Sequence, residues 1–96
     1  MKLNQFDRAY ILEKIESLRK EKRNKIYSRD NYKSNEVEKA VENWRKAEQG
    51  DDVSKQSLTA KKLKAANSFV NSLDIEIILI DDNIETLNKI IIENEY

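Results

Sequence analysis

This 96-residue chain contains neither histidine nor cysteine, so its charged chemistry near neutral pH falls to carboxylates and cationic side chains. Those absences remove the usual general base near neutral pH, the thiolate nucleophile, disulfides, and Cys- and His-based metal sites together. The acids that cluster are Asp51-Asp52, Asp81-Asp82 with Glu85, and Glu38 with Glu42. Carboxylates can hold Mg²⁺ in hydrolases of helical-bundle type, but such sites need several inward-facing acids from different helices. Here the acids fall mainly at solvent-side or seam-flanking positions, and no base, nucleophile or oxyanion donor converges with them. The expectation is a protein that is not an enzyme and carries no metal or other cofactor. A metal-dependent hydrolase is the outside alternative.

The cations are densest at Arg19-Lys20-Glu21-Lys22-Arg23-Asn24-Lys25, continuing to Arg29 and Lys33. Phosphate backbones are bound by such clusters, so nucleic-acid contact through Arg19, Lys20 and Arg23 is the alternative function for segment 19–33. At helical angles, though, Lys22, Lys25 and Arg29 point toward a partner helix, Arg19 and Arg23 away from it, and Lys20 elsewhere again. Spacings such as Glu16 to Lys20 and Glu21 to Lys25 also suit an ordinary solvated helix face. Tyr10, Tyr27, Tyr32, Trp44 and Tyr96 are not spaced to stack bases on one surface. Tyr27 lies off the main apolar stripe and is a candidate contact residue, whereas Trp44 is expected to anchor the core near the turn.

A third group carries no reactive atom. Ile75, Ile78 and Leu79 stand at i, i+3 and i+4, roughly opposite the apolar row of Leu73, Ile77 and Ile80. A two-helix hairpin uses one side of each helix, so this second patch faces water unless something covers it. Covering three such side chains is worth on the order of 5–9 kcal/mol per chain. A symmetric dimer counts that twice, against an association cost of about 4–15 kcal/mol.

The elements that position these residues are helices. Proline is absent and Gly50 is the only glycine, so nothing inside either half interrupts a helix, while sheets need many turn residues. In the second half Leu63, Ala66, Val70, Leu73, Ile77, Ile80, Ile84, Leu87 and Ile91 alternate spacings of three and four without a slip. That is a coiled-coil seam, extended weakly by Gln56 and Thr59, on a helix predicted over about 54–94 with Asp52 or Ser54 as its cap. In the first half Leu3, Phe6, Tyr10, Ile11, Ile15, Leu18, Ile26, Val37, Val41, Trp44 and Ala47 recur at mostly helical spacing. They predict a helix over about 4–49, begun by Asn4 with Asp7 in its first turn and stopped by a left-handed Gly50. The turn is placed at 50–53. The soft spot is the polar run 29–36, where Asn35 and Glu38 could form a second capping box. A break near 30–36 gives the alternative of a three-helix bundle.

Folding at Gly50-Asp51 pairs residues whose numbers add to about 102. Ile11 then meets Ile91, Ile15 meets Leu87, Leu18 meets Ile84 and Trp44 meets Leu58. Lys22 and Arg29 interrupt the apolar stripe of the first helix and would be costly unpaired; this register sets them beside Asp81 and Asp74. The halves also differ in charge. Residues 1–49 hold 13 Lys/Arg against 9 Asp/Glu, and residues 50–96 hold 5 against 9, so the halves are +4 and −4. Opposite halves that cancel suit an antiparallel pair better than a polymer binder, which usually has a basic surplus.

The sequence therefore predicts an all-α single domain: a long antiparallel helical hairpin, coiled-coil-like, dimerising to a four-helix bundle. At this size much apolar surface stays wet without a partner, so the expected function is non-enzymatic protein–protein interaction. The expected partner is a protein or a second copy of the chain. The longest apolar runs, Ile77 to Ile80 and Ile90 to Ile92, are far shorter than the roughly 20 residues of a membrane span, and the amino terminus lacks the apolar region of a secretory signal. A cytoplasmic location follows as an expectation. Abundant Lys, Asn and Ile suggest a low-GC bacterium or its phage, and with it an inhibitor or adaptor of a larger machine, in the host-cell cytoplasm if phage-encoded.

Overall fold

The computed structural model describes residues 3–95, with side chains through Asn94. Helix α1 spans Gln5–Tyr32, one π-helical segment spans Lys33–Val37, α2 spans Glu38–Glu48 and α3 spans Val53–Glu95. The fold is all-α, and no strand occurs among the described residues. Both expected amino-terminal caps are present. The Asp7 amide donates to Asn4 Oδ1 at 2.8 Å, and the Lys55 amide donates to Asp52 Oδ1 at 3.2 Å, each satisfying a first-turn N–H that would otherwise lack a partner.

The chain forms two compact units, one from Met1–Ile26 with Ile75–Tyr96 and the other from Tyr27–Asp74. In the first unit Lys22 Nζ lies 2.7 Å from Asp81 and Lys25 Nζ lies 3.0 Å from Glu76, so α1 and α3 run antiparallel. Ile15, Ile77, Ile80 and Ile91 are its buried residues, with Ile11, Leu18, Ile84 and Leu87 half-buried around them. In the second unit Arg29 donates to Asp74 at 3.0 Å, and the Tyr32 and Phe69 rings meet at 4.5 Å between centroids. Ala47, Thr59, Ala66, Val70 and Leu73 are buried there. The seam read from α3 is thus buried or half-buried at every position from Leu63 to Ile91. Each large aliphatic taken from water contributes about 1.5–3 kcal/mol, so this row is the main source of stability.

Segment 29–36 does not break. Tyr32, Val37 and Glu38 all hold right-handed helical dihedrals, and Asn35 caps nothing; its side-chain amide donates to Asn31 Oδ1 at 3.3 Å. The backbone instead widens into the π turn. The reason lies in the apolar phase. Before it the inward positions are Ile15, Leu18, Lys22, Lys25, Arg29 and Tyr32, and spacings of three and four would continue to Glu36, Lys39 and Asn43. Those three are exposed, and the inward positions are Val37, Ala40, Trp44 and Ala47. The stripe has slipped by one residue, and a π turn absorbs one extra residue without ending a helix.

Three further expectations are corrected. Phe6 and Tyr10 are 86% and 69% exposed, because continuing the row of Ile11 and Ile15 backwards leads to Arg8 and Asn4 and leaves both rings off to one side. Leu58 is half exposed, so it does not face Trp44 in a core; Thr59 takes the buried place beside it, its hydroxyl satisfied by the Lys55 and Gln56 carbonyls. Gly50 is not left-handed. Its amide donates to the Ala47 carbonyl at 3.1 Å, and Gln56 Nε2 donates to the carbonyls of Gly50 at 2.8 Å and Ala47 at 3.2 Å, so a side chain from α3 supplies the partners that a left-handed cap would otherwise give.

Candidate functional site

Ile75, Ile78 and Leu79 occupy two turns of α3 directly behind the seam. The seam residues Leu73, Ile77 and Ile80 recur with the helical period toward α1, and positions 75, 78 and 79 fall about half a turn away from them. All three are exposed, at 58%, 58% and 56%. One exposed aliphatic is ordinary, but three adjacent ones form a patch of the sort that marks an interface. One heptad further on, Asp82 and Glu85 continue the rows of Ile75 and Ile78. Both acids are exposed, and neither forms an ion pair among the described residues. The patch therefore ends in two exposed acids, with Lys89 one turn beyond them.

The basic segment is divided in a way the angles anticipated. Lys22, Lys25 and Arg29 are engaged by Asp81, Glu76 and Asp74 of α3. Arg29 also donates through Nε to Asp30 at 3.1 Å, and its hydrogen bonds to Asp74 and Asp30 raise its pKa further above its ordinary value. Arg19 and Arg23 both approach Glu16, each at 4.0 Å, while Lys20 projects about 100° from Arg19 around α1. So the structure brings Arg19 and Arg23 together on one side and leaves Lys20 apart.

The acids Asp81, Asp82 and Glu85 do not form a cation site: Asp81 faces Lys22, and no three acidic residues converge among the described residues. Tyr27 is 71% exposed and Trp44 is half-buried; Tyr96 lies outside the described residues.

Sequence reasoning missed a cleft in the second unit. It has a volume of about 490 Å³ and lies between α2 and α3 beside the π turn. Ala40, Thr59 and Ala66 line it together with Tyr32 and half-exposed Leu58, and four lysines reach it: Lys39 and Lys46 from α2, Lys55 and Lys62 from α3. Glu36 is the single acid in its lining. The signal was in the sequence, since Lys39 and Lys46 are one heptad apart, as are Lys55 and Lys62. The one-residue slip at 33–37 takes Lys39 and Lys46 off the inward row, where unbroken spacing would put them, and onto the rim of this groove.

No protein-family model matches the chain, and no curated protein or solved structure shows significant similarity to it. No helix among the described residues is long and apolar enough to cross a membrane.

Proposed function

We propose that this chain is a non-catalytic protein–protein interaction module whose contact surface is centred on Ile75, Ile78 and Leu79 of α3. The observation that carries the reading is the joint exposure of these three aliphatics on the side opposite a seam that is already filled. Support also comes from the basic segment, whose inward cations are engaged by α3 acids and so contribute less to a surface for phosphates. The module acts by occupying a surface, with the apolar patch as anchor and polar residues around it setting orientation.

The patch alone is not enough. About half of each side chain is already covered, so completing its burial contributes roughly 2–5 kcal/mol, at the low end of the 4–15 kcal/mol that association costs. A second, complementary set of contacts is required, and charge at the patch's end is the nearest source. The test is the double substitution Ile75→Lys with Leu79→Lys. The variant is expected to keep its helical circular dichroism and thermal midpoint while losing partner capture or self-association in pull-down and sedimentation. Loss of helicity would instead make the patch part of the packing that stabilises the chain, and would overturn the reading.

A further inference from the structure

We infer that the lysine-rimmed cleft between α2 and α3 is the receptor for the apolar patch of a second copy of this chain, so that the module recognises itself. The inference rests on the reading of Ile75, Ile78 and Leu79 as a contact surface and adds the identity of what covers it. The antiparallel register of the second unit is fixed at one end by Arg29 with Asp74 and Tyr32 with Phe69, and at the other by Gln56 with the Ala47 carbonyl. Between those ties Lys39 stands about level with Lys62, and Lys46 with Lys55. These flanking positions are where paired helices ordinarily set opposite charges across from each other. In the first unit an acid does stand opposite a cation: Lys25, itself on the inward row, pairs with Glu76 at 3.0 Å. In the second unit cation faces cation, twice, across a cleft that contains one carboxylate, Glu36. Lys46 reaches Glu42 at 3.2 Å, and the other three lysines form no ion pair among the described residues.

Such an arrangement opposes close approach of α2 and α3 unless negative charge enters between them, and it surrounds an apolar floor of Leu58, Ala40 and Ala66. The occupant it fits is a helix with a short aliphatic face bordered by acids, a helix-in-groove contact. The chain itself contains one. On α3, Ile75, Ile78 and Leu79 supply the aliphatic face, and Asp82 and Glu85, unpaired and on the same side, supply the acids. Three aliphatics set on Leu58 and the alanines, with two carboxylates among four lysines, match in both apolar character and charge.

Sedimentation velocity on the full chain tests the inference. Self-association is expected at about 100 µM in low salt, weakening as salt screens the charged rim. Reversing the rim, Lys39→Glu with Lys62→Glu, should weaken it by about tenfold or more, as should reversing the flank, Asp82→Lys with Glu85→Lys. Mixing the two variants should restore association as a mixed complex, because the reversed flank of one copy then meets the reversed rim of the other. Should either reversal disturb helicity, the milder Lys39→Gln with Lys62→Gln and Asp82→Asn with Glu85→Gln weaken association without introducing opposite charge. The chain has no cysteine, so an equimolar mixture of Leu58→Cys and Leu79→Cys chains reads the contact independently. The mixed disulfide should dominate over either homodisulfide on mild oxidation. A wild-type chain that stays monomeric at that concentration, a mixture that fails to restore association, or a predominance of homodisulfides overturns the inference. If the wild type is monomeric and yet Ile75→Lys with Leu79→Lys abolishes capture of another protein, only the identity of the occupant falls and the proposed function stands.

Discussion

Arg29 shows how a single side chain can tie the two strands of a helical pair together. Its guanidinium bridges Asp74 across the pair and Asp30 along the chain, with one quarter of its side chain exposed. Charge reversal at Asp74 should lower the thermal midpoint, and reversing Arg29 in the same chain should recover part of the loss; thermal melts of the four members of that cycle check it. The raised pKa of Arg29 means that its contribution is fully present below its ordinary value and is lost only in stronger alkali, so the coupling should not change between pH 6 and 9. Gly50 yields the opposite kind of expectation. With no positive φ and only the Ala47 carbonyl near, 3.6 Å from where a Cβ would sit, alanine fits without strain. Gly50→Ala should therefore stabilise the chain by about 0.4–1 kcal/mol through the unfolded state, measured by urea denaturation. Destabilisation would show that the turn needs the freedom of glycine after all.

At the scale of elements, the π turn at Lys33–Val37 is the informative feature, because it converts a slip in the apolar pattern into a local widening of the helix. Deleting Asn35 should remove the slip. Val37, Ala40, Trp44 and Ala47 would then continue the spacings of Ile15, Leu18 and Tyr32 in one α-helical phase. The deletion is expected to leave stability unchanged or raised. Deleting Asn24, in the regular part of α1, rotates everything on one side of the cut by about 100° and should cost roughly 3 kcal/mol or more by displacing large apolar side chains. Urea midpoints of the two deletions separate the cases, and equal losses would show that the π turn has no phase-correcting role. Under the self-recognition inference, the Asn35 deletion should leave association intact, since Lys39 and Lys46 keep their places next to the inward Ala40 and Ala47.

For the molecule as a whole, charge is the organising quantity. The net charge is zero, but cations predominate up to Glu48 and acids after it, and the two are joined by ion pairs that run between α1 and α3 in the first unit and again between α1 and α3 at Arg29 in the second. What those pairs leave over is a positive cleft and a negative border to the apolar patch. Because acids do not converge in threes among the described residues, millimolar Mg²⁺ or Mn²⁺ should move the thermal midpoint by less than about a degree relative to chelator. A rise of several degrees would reopen the carboxylate chemistry. A binder of phosphate backbones would instead reveal itself by nucleic-acid affinity that falls steeply with salt and disappears on neutralising Arg19 and Arg23.

The sequence by itself determined the helical class, the seam of α3, the Asn4 cap, the start of α3 up to the choice between Asp52 and Ser54, and the pairing of Lys22 with Asp81 and Arg29 with Asp74. These follow from local capping chemistry and from a strict period, and a strict period together with one turn leaves a single antiparallel register. The patch at Ile75, Ile78 and Leu79 was legible for the same reason, since a residue's side of a straight helix is set by its number. Only the tertiary structure decided the rest. A slip of one residue in a polar run has no apolar side chain to mark it, so the π turn and the grouping of four lysines around one cleft could not be read from spacing, whereas the exposure of Leu58 already follows from the Gln56 and Thr59 phase of the seam. Gly50 departs from the expectation because of a neighbour: a glycine after a helix is the usual sign of a left-handed stop, but here Gln56, on the opposing helix, reaches back to the carbonyls of Gly50 and Ala47 and makes that conformation unnecessary.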